Sequence, residues 1–401
     1  MTTLNIATIL HRDRPTYPFD IMINGTMSNL SDLLDRMTAP GELVEQLPDG
    51  AVRCTACGHR CLIREGRRGI CQVRFNREGE LRVPWGYVAA LQCDPTEKKP
   101  FYHLLPGSDT LTFGMLGCDF HCGYCQNWLT SQALRDPAAD MAGRYLREIT
   151  PDELVQIGVR MGAQVVASSY NEPLITTEWA AAIFSRAKAA GMRCAYVSNG
   201  NATPEALDFL APYLSAYKVD LKSMREKTYR QLGGVLEHVL DTIRMAHERG
   251  LWVEVVTLVV PGLNDSNDEL MDAARYIRSV SADIPWHVTA FHPDYKMTSD
   301  NRTTAETLIR AAEIGQEAGL NYVYAGNLPG GAEPYEHTHC PRCGHLLIRR
   351  YGFSILGYNL TADGKCPQCG LEIPGIWTGD PDRVQVGSLH DLFNRGPRPV
   401  R

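Results

Sequence analysis

Eleven of the thirteen cysteines in this 401-residue chain fall into three short groups: Cys54, Cys57, Cys61 and Cys71; Cys118, Cys122 and Cys125; and Cys340, Cys343, Cys366 and Cys369. Thiolates that share a metal close the backbone around one point, whatever the flanking residues prefer. Residues 1–18 carry no apolar leader segment, since His11-Arg12-Asp13-Arg14 interrupts them early. Clustered thiols in such a chain point to metal binding in a reducing compartment, so a cytoplasmic location is expected.

The middle group is the most specific. It lies in the run Gly117-Cys118-Asp119-Phe120-His121-Cys122-Gly123-Tyr124-Cys125-Gln126-Asn127-Trp128. Three thiolates on one loop can hold three irons of a cubane 4Fe-4S cluster, whereas a purely electron-carrying cluster normally has four cysteine ligands. The fourth iron is left open. A zinc site that borrows His121 as its fourth ligand has the same spacing.

The two outer groups have different spacings. Cys340-Pro-Arg-Cys343 and its echo Cys366-Pro-Gln-Cys369 form two Cys-x2-Cys knuckles separated by a hairpin-length spacer, the pattern of a zinc ribbon. An auxiliary iron-sulfur cluster is the alternative there. Cys54-x2-Cys57-x3-Cys61-x9-Cys71 suits either zinc or an iron-sulfur cluster, with the lean toward zinc.

Between the outer groups, apolar runs alternate with amphipathic ones. Strands are expected over 111–115, 164–169, 192–198, 217–221, 252–260, 286–291 and 321–324, and helices over 152–161, 178–190, 237–249, 267–279 and 304–318. Thr150-Pro151-Asp152-Glu153 supplies a cap, a first-turn proline and two acids to one helix, and Thr203-Pro204-Glu205 repeats the device. The pattern predicts an α/β fold, a partial or near-complete TIM-like (β/α) barrel with small cysteine-rich N-terminal and zinc-ribbon-like C-terminal modules. The expected divisions are 1–50 (an extension), 51–108 (cysteine-rich module), 109–330 (barrel) and 331–401 (ribbon module).

Such barrels place their sites at the C-terminal ends of the strands. The cysteine triplet follows the first expected strand there. Glu172, Asn199, Asp220, Lys222, Asn264 and His292 stand at or just after such strand ends and are expected to face one mouth, and His287 is a further candidate site residue. The net charge of −6 and the lack of a long basic stripe argue against a nucleic-acid-binding protein. No apolar run is long enough for a membrane span.

The Gly-Cys-x3-Cys-x2-Cys run, with Tyr124 ahead of its last cysteine, resembles the cluster motif of the radical S-adenosylmethionine (SAM) enzymes. Together with Cys54 to Arg74, Asp94-Pro-Thr-Glu-Lys-Lys-Pro100 leading to Tyr102-His103, Tyr170-Asn-Glu-Pro173, Val219 to Lys222, Val259 to Asp265, Pro285-Trp286-His287 and Tyr324-Ala-Gly-Asn327, it resembles the AmmeMemoRadiSam-system radical SAM enzymes, which are similar to pyruvate formate-lyase activating enzymes. The resemblance implies that SAM chelates the open iron and that Glu172 contacts its amino group. Tyr170 and Asn171 stand where that family motif has glycines. It also implies that Asp220 and Lys222 form an Asp-x-Lys motif that positions SAM, with Tyr124 and Asn199 beside it.

The expected chemistry is reductive cleavage of SAM to a 5'-deoxyadenosyl radical that takes hydrogen from a substrate, with a flavodoxin or ferredoxin-type protein as reductant. The substrate is read as a glycine of a partner protein, or else as a small molecule or modified macromolecule with the ribbon as docking module. A non-catalytic electron carrier is the remaining class.

Overall fold

The structure is a computed structural model that describes residues 29–298 and 301–387 and the backbone of 398–399. The expected extension over 1–50 therefore lies outside the described residues up to position 28. Its remainder is folded: a helix over Leu30–Arg36 is capped by Asn29, and the strands Thr38–Pro40 and Val44–Gln46 pair with Glu80–Pro84 and Val52–Cys54.

The centre is a nine-stranded sheet. In chain order its elements are β1 (Ala90–Pro95), β2 (Asp109–Gly114), α1 (Pro151–Met161), β3 (Val165–Ser168), α2 (Thr177–Ala189), β4 (Arg193–Ser198), α3 (Pro204–Leu210), β5 (Ala216–Asp220), α4 (Glu226–Leu232), α5 (Leu236–Glu248), β6 (Trp252–Val259), α6 (Asn267–Val280), β7 (Trp286–Ala290), α7 (Ala305–Glu317) and β8 (Val323–Gly326). Strands β2 to β8 run parallel in sequence order. β1, within the segment expected to belong to the cysteine-rich module, pairs antiparallel with β2 along six residues, and Arg398–Pro399 adds to its outer edge. Among the described residues the first and last parallel strands do not pair, so the sheet stays open, as a partial barrel does.

The helices form where their first turns are satisfied. Thr150 and Glu153 make a reciprocal capping box at the start of α1, and Thr203 caps α3. Val166, Leu111, Phe113, Cys194 and Tyr196 join the large core. The opposite face carries Val165, Ala167, Ala195 and Ala216, whose small side chains admit Phe101 and Leu104. Burial on both faces is the usual state of a parallel sheet.

A three-stranded ribbon, β9 (Thr338–His339), β10 (Leu346–Tyr351) and β11 (Ser354–Tyr358), follows β8. It sits at the N-terminal ends of the sheet strands. Ile376 bridges to Leu104 beneath the sheet, and the fully buried Arg350 donates to Thr338 Oγ1 at 2.7 Å and to the Tyr102 carbonyl at 2.9 Å. No helix of the described residues is long and apolar enough to cross a membrane.

Candidate metal centres

The cysteine triplet leaves β2 at the C-terminal rim. The loop is held from several sides. Arg135 donates to the Phe120 carbonyl at 2.6 Å, to the Cys118 carbonyl at 3.0 Å and to the Ile70 carbonyl at 2.8 Å. His121 N–H donates to the Leu232 carbonyl, and Lys296 N–H to the Gly123 carbonyl. Phe120 lies over Gly234, where a Cβ would fall 2.2 Å from its ring; the absence of a side chain there lets the loop sit down on the end of α4. His121 packs in the same way against Gly233, and among the described residues no close metal-sized group includes it.

The three sulfurs have a donor set that suits an iron-sulfur cluster. All are unpaired thiols, Phe120 N–H donates to Cys118 Sγ at 3.3 Å, and the Ser131 hydroxyl lies 3.2 Å from Cys125 Sγ. Burial pushes the Cys122 thiol up to about 12, although the Lys222 ammonium works in the opposite direction. Tyr124 is buried between the second and third cysteines.

Asp220 and Lys222 stand beside this loop. Asp220 pairs with Lys218 and, at 3.2 Å, with Lys222. Burial opposes its ionisation, but the two ammonium groups outweigh burial and hold its carboxyl at about 2. Cys122 and Tyr124 are among the groups that act on the Lys222 charge.

Glu172 faces the protein. Its Oε1 accepts from Leu174 N–H at 3.0 Å and from the Ser198 hydroxyl at 2.7 Å, and its Oε2 from Asn199 N–H at 2.7 Å. Burial, and then the nearby Asp119 charge, push its carboxyl up to about 8. Asn199 in turn donates from Nδ2 to Asp119 Oδ1 and accepts Asn201 N–H at Oδ1.

Tyr170 resolves the departure from the glycine-bearing motif. It adopts φ 71°, the left-handed conformation that glycine takes readily, and its ring and hydroxyl are held by Lys99 and Gln92. The identity differs while the backbone geometry is that of a glycine.

Two further candidates lie elsewhere or act differently. His287 is the second residue of β7, at the N-terminal end of the sheet, where it bonds Glu254 at 2.6 Å beneath Tyr102; it is not a mouth residue. The ribbon interface explains its burial. Asn264 is spent on the backbone, accepting from Val260 N–H and donating to the Lys222 and Leu258 carbonyls. His292 does reach the loop, 3.0 Å from Gln126 Nε2.

Asp119 and Arg135 were missed by sequence reasoning. Asp119 is fully buried and accepts from both Asn199 and Asn201. Its place directly after a cluster cysteine was the available signal.

The two outer groups differ in geometry. The Cys340, Cys343, Cys366 and Cys369 sulfurs all lie within 4.8 Å of one another, with pairs at 3.5 and 3.7 Å. A zinc ion with Zn–S bonds of about 2.3 Å needs a tetrahedron of this size. The N-terminal group lies at the rim instead: Cys57 bridges to Ala202, and Thr203 Oγ1 donates to the Thr55 carbonyl at 2.5 Å.

The profile of the radical SAM superfamily matches residues 113–277. An uncharacterized protein of Methanocaldococcus jannaschii is 38% identical over 332 residues, covering 82% of this chain and 97% of its own length. A domain of pyruvate-formate lyase-activating enzyme from Bacteroides vulgatus aligns over 40% of this chain and 98% of its own, at 19% identity and a TM-score of 0.35. A radical SAM methyltransferase from Sphaerobacter thermophilus aligns over 77% of this chain and 81% of its own, at 16% identity and a TM-score of 0.41.

Proposed function

This chain belongs to the radical SAM superfamily, whose cofactors are SAM and an iron-sulfur cluster, and on that premise we propose that it abstracts hydrogen from a glycine of a partner protein. The observation that carries the reading is the rim loop itself, which sets Cys118, Cys122 and Cys125 within eight residues beside the Asp220–Lys222 pair.

In this reading the three thiolates hold a 4Fe-4S cluster. When bound, the cluster and SAM together supply a 5'-deoxyadenosyl radical after one electron from a flavodoxin or ferredoxin-type donor. The chain's own residues do the placement. Asp220 stays ionised at neutral pH because two lysines flank it, which offers SAM a fixed anionic contact next to the Lys222 cation. Tyr124 is buried beside Cys122 and Lys222 and adds apolar surface to that side of the loop.

Glu172 acts through Asn199, whose backbone it anchors, and so frames the side on which SAM sits. The ribbon takes one zinc ion, and its place at the opposite end of the strands supports a role in bracing the sheet rather than in docking at the mouth. The Asp-x-Lys segment favours the glycine target over a small molecule.

The test is anaerobic reconstitution followed by reduction with SAM present. The expected product is 5'-deoxyadenosine, lost in Cys122→Ala. If the reconstituted wild-type chain forms none, the reading fails. A glycyl-radical EPR signal on a co-purified protein is expected for the glycine target; deuterium transfer into 5'-deoxyadenosine from a small molecule instead would overturn that part.

A further inference from the structure

The N-terminal cysteines pack directly against the rim loop. Arg135 Nη2 holds both the Ile70 carbonyl, one residue before Cys71, and the Cys118 carbonyl. A Cβ on Gly117 would fall 3.1 Å from the Cys71 carbonyl oxygen, so the two segments touch there. Cys57 interacts electrostatically with Cys54, Cys71 and Asp119, and Cys61 with Cys54 and Asp119. The four thiols are thus near one another, with Asp119 beside Cys57 and Cys61 as well as Cys118.

Burial raises the thiols of Cys57, Cys61 and Cys71, while backbone N–H groups of His59, Ile70, Val73 and Arg74 work in the opposite direction, with Ile70 N–H 3.5 Å from Cys61 Sγ. Arg74 is 1% exposed, and only one of its nitrogens reaches a partner, the Glu178 carboxylate; Nε and Nη1 are buried with no hydrogen-bond acceptor. Two of its three nitrogens therefore lack an acceptor at a buried site, which is unfavourable unless a further anionic group meets them. Cys54, Cys71 and Cys57 are the thiols whose charge acts on it. A cationic donor facing thiolates is what an anionic metal–thiolate centre requires.

The geometry also distinguishes two kinds of centre. Around a single zinc ion four sulfurs crowd together, as the ribbon cysteines do. In a cubane each sulfur binds a different iron, so the sulfurs stand wider apart. Among the described residues, the ribbon cysteines are the group whose ligand atoms all lie within 4.8 Å of one another; neither the rim triplet nor the N-terminal four packs its sulfurs that closely.

We propose that Cys54, Cys57, Cys61 and Cys71 bind a second iron-sulfur cluster, with Arg74 as its buried counter-cation. Of the two metals the spacing suits, this is the one the sequence reading leans away from. It is independent of the reaction assigned to the first cluster, because no step of that reaction enters the argument.

The test uses the full chain, reconstituted anaerobically with ferrous iron and sulfide. Two cubanes give roughly eight irons per chain, and the triple variant Cys118→Ala, Cys122→Ala, Cys125→Ala keeps about half of them together with a cluster signal by Mössbauer spectroscopy. Retention of zinc by the ribbon reports that the variant is folded. Cys57→Ser with Cys71→Ser removes the remaining half from the triple variant. A wild-type chain with about four irons in one cluster population and about two zinc ions overturns the proposal without recourse to any variant. Arg74→Met lowers the midpoint potential of the second cluster and leaves that of the first in place; an unchanged second midpoint removes Arg74 from its role.

Discussion

The Asn199 side chain donates to Asp119 Oδ1 at 2.7 Å, which ties the loop after β4 to the residue that follows the first rim cysteine. Asn201 completes the grip at Oδ2, 2.8 Å away. One buried carboxylate therefore sets the distance between the rim loop and a neighbouring strand end.

Asp119→Ala leaves two buried side-chain amides without an acceptor. The expected loss is about 2–4 kcal/mol of stability, since each unsatisfied buried donor costs about 1–3 kcal/mol. Urea unfolding of the two proteins side by side measures it, and a loss under about 0.5 kcal/mol would contradict the arrangement.

Glu172 makes stability depend on pH. Its folded carboxyl titrates at about 8 against an ordinary value of 4.5, because burial and then Asp119 disfavour the charged form. The folded state keeps a proton that the unfolded chain releases, so this contribution is complete below about pH 4.5 and is lost as pH rises through about 8. Urea midpoints measured between about pH 5 and pH 8.5 should fall with pH in the wild type and fall less in Glu172→Gln.

Gly234→Ala drives a methyl group into the Phe120 ring. Overpacking of this kind costs about 1–3 kcal/mol. Because Phe120 lies within the cysteine run, the variant should also hold less iron at the rim after reconstitution while its circular dichroism stays unchanged. Full iron loading would show that the loop does not depend on this contact.

Arg350→Met tests the join between ribbon and sheet. The guanidinium bonds Thr338 and Tyr102 and lies 4.2 Å from the Tyr102 ring centroid. Methionine keeps the volume but leaves the Tyr102 carbonyl without this donor, while the Thr338 hydroxyl keeps Tyr324 at 2.8 Å, so the cost is about 1–3 kcal/mol. Limited proteolysis should then cut between β8 and the ribbon faster than in the wild type.

The period of the apolar residues placed all seven parallel strands to within a few positions, and the Thr150 and Thr203 caps marked their helices correctly. Both signals are local, since a helix start or a half-turn of strand is decided by neighbours in the chain. β1 was missed because its antiparallel pairing with β2 leaves no distinct period in six residues that also carry Gln92 and Asp94. Tyr170 looked like a departure from a glycine motif, yet the backbone takes the left-handed turn with lysine and glutamine contacts holding the ring. His287 is a candidate site residue in the sequence, and only the fold shows that it lies at the end of its strand where the ribbon closes over the sheet.

The chain alone therefore determined what depends on near neighbours: the cysteine spacings, the alternation of strand and helix, and the chemistry that closely spaced thiols can support. Tertiary structure decided which distant groups share a dielectric. Asp119 meets Asn199 and Asn201 across eighty residues of sequence, Arg74 is buried with Glu178 beside the N-terminal thiols, and the ribbon seals the end of the sheet opposite the rim. Such charges acquire their meaning only from burial and from the partners that folding brings to them, and neither is written into a spacing.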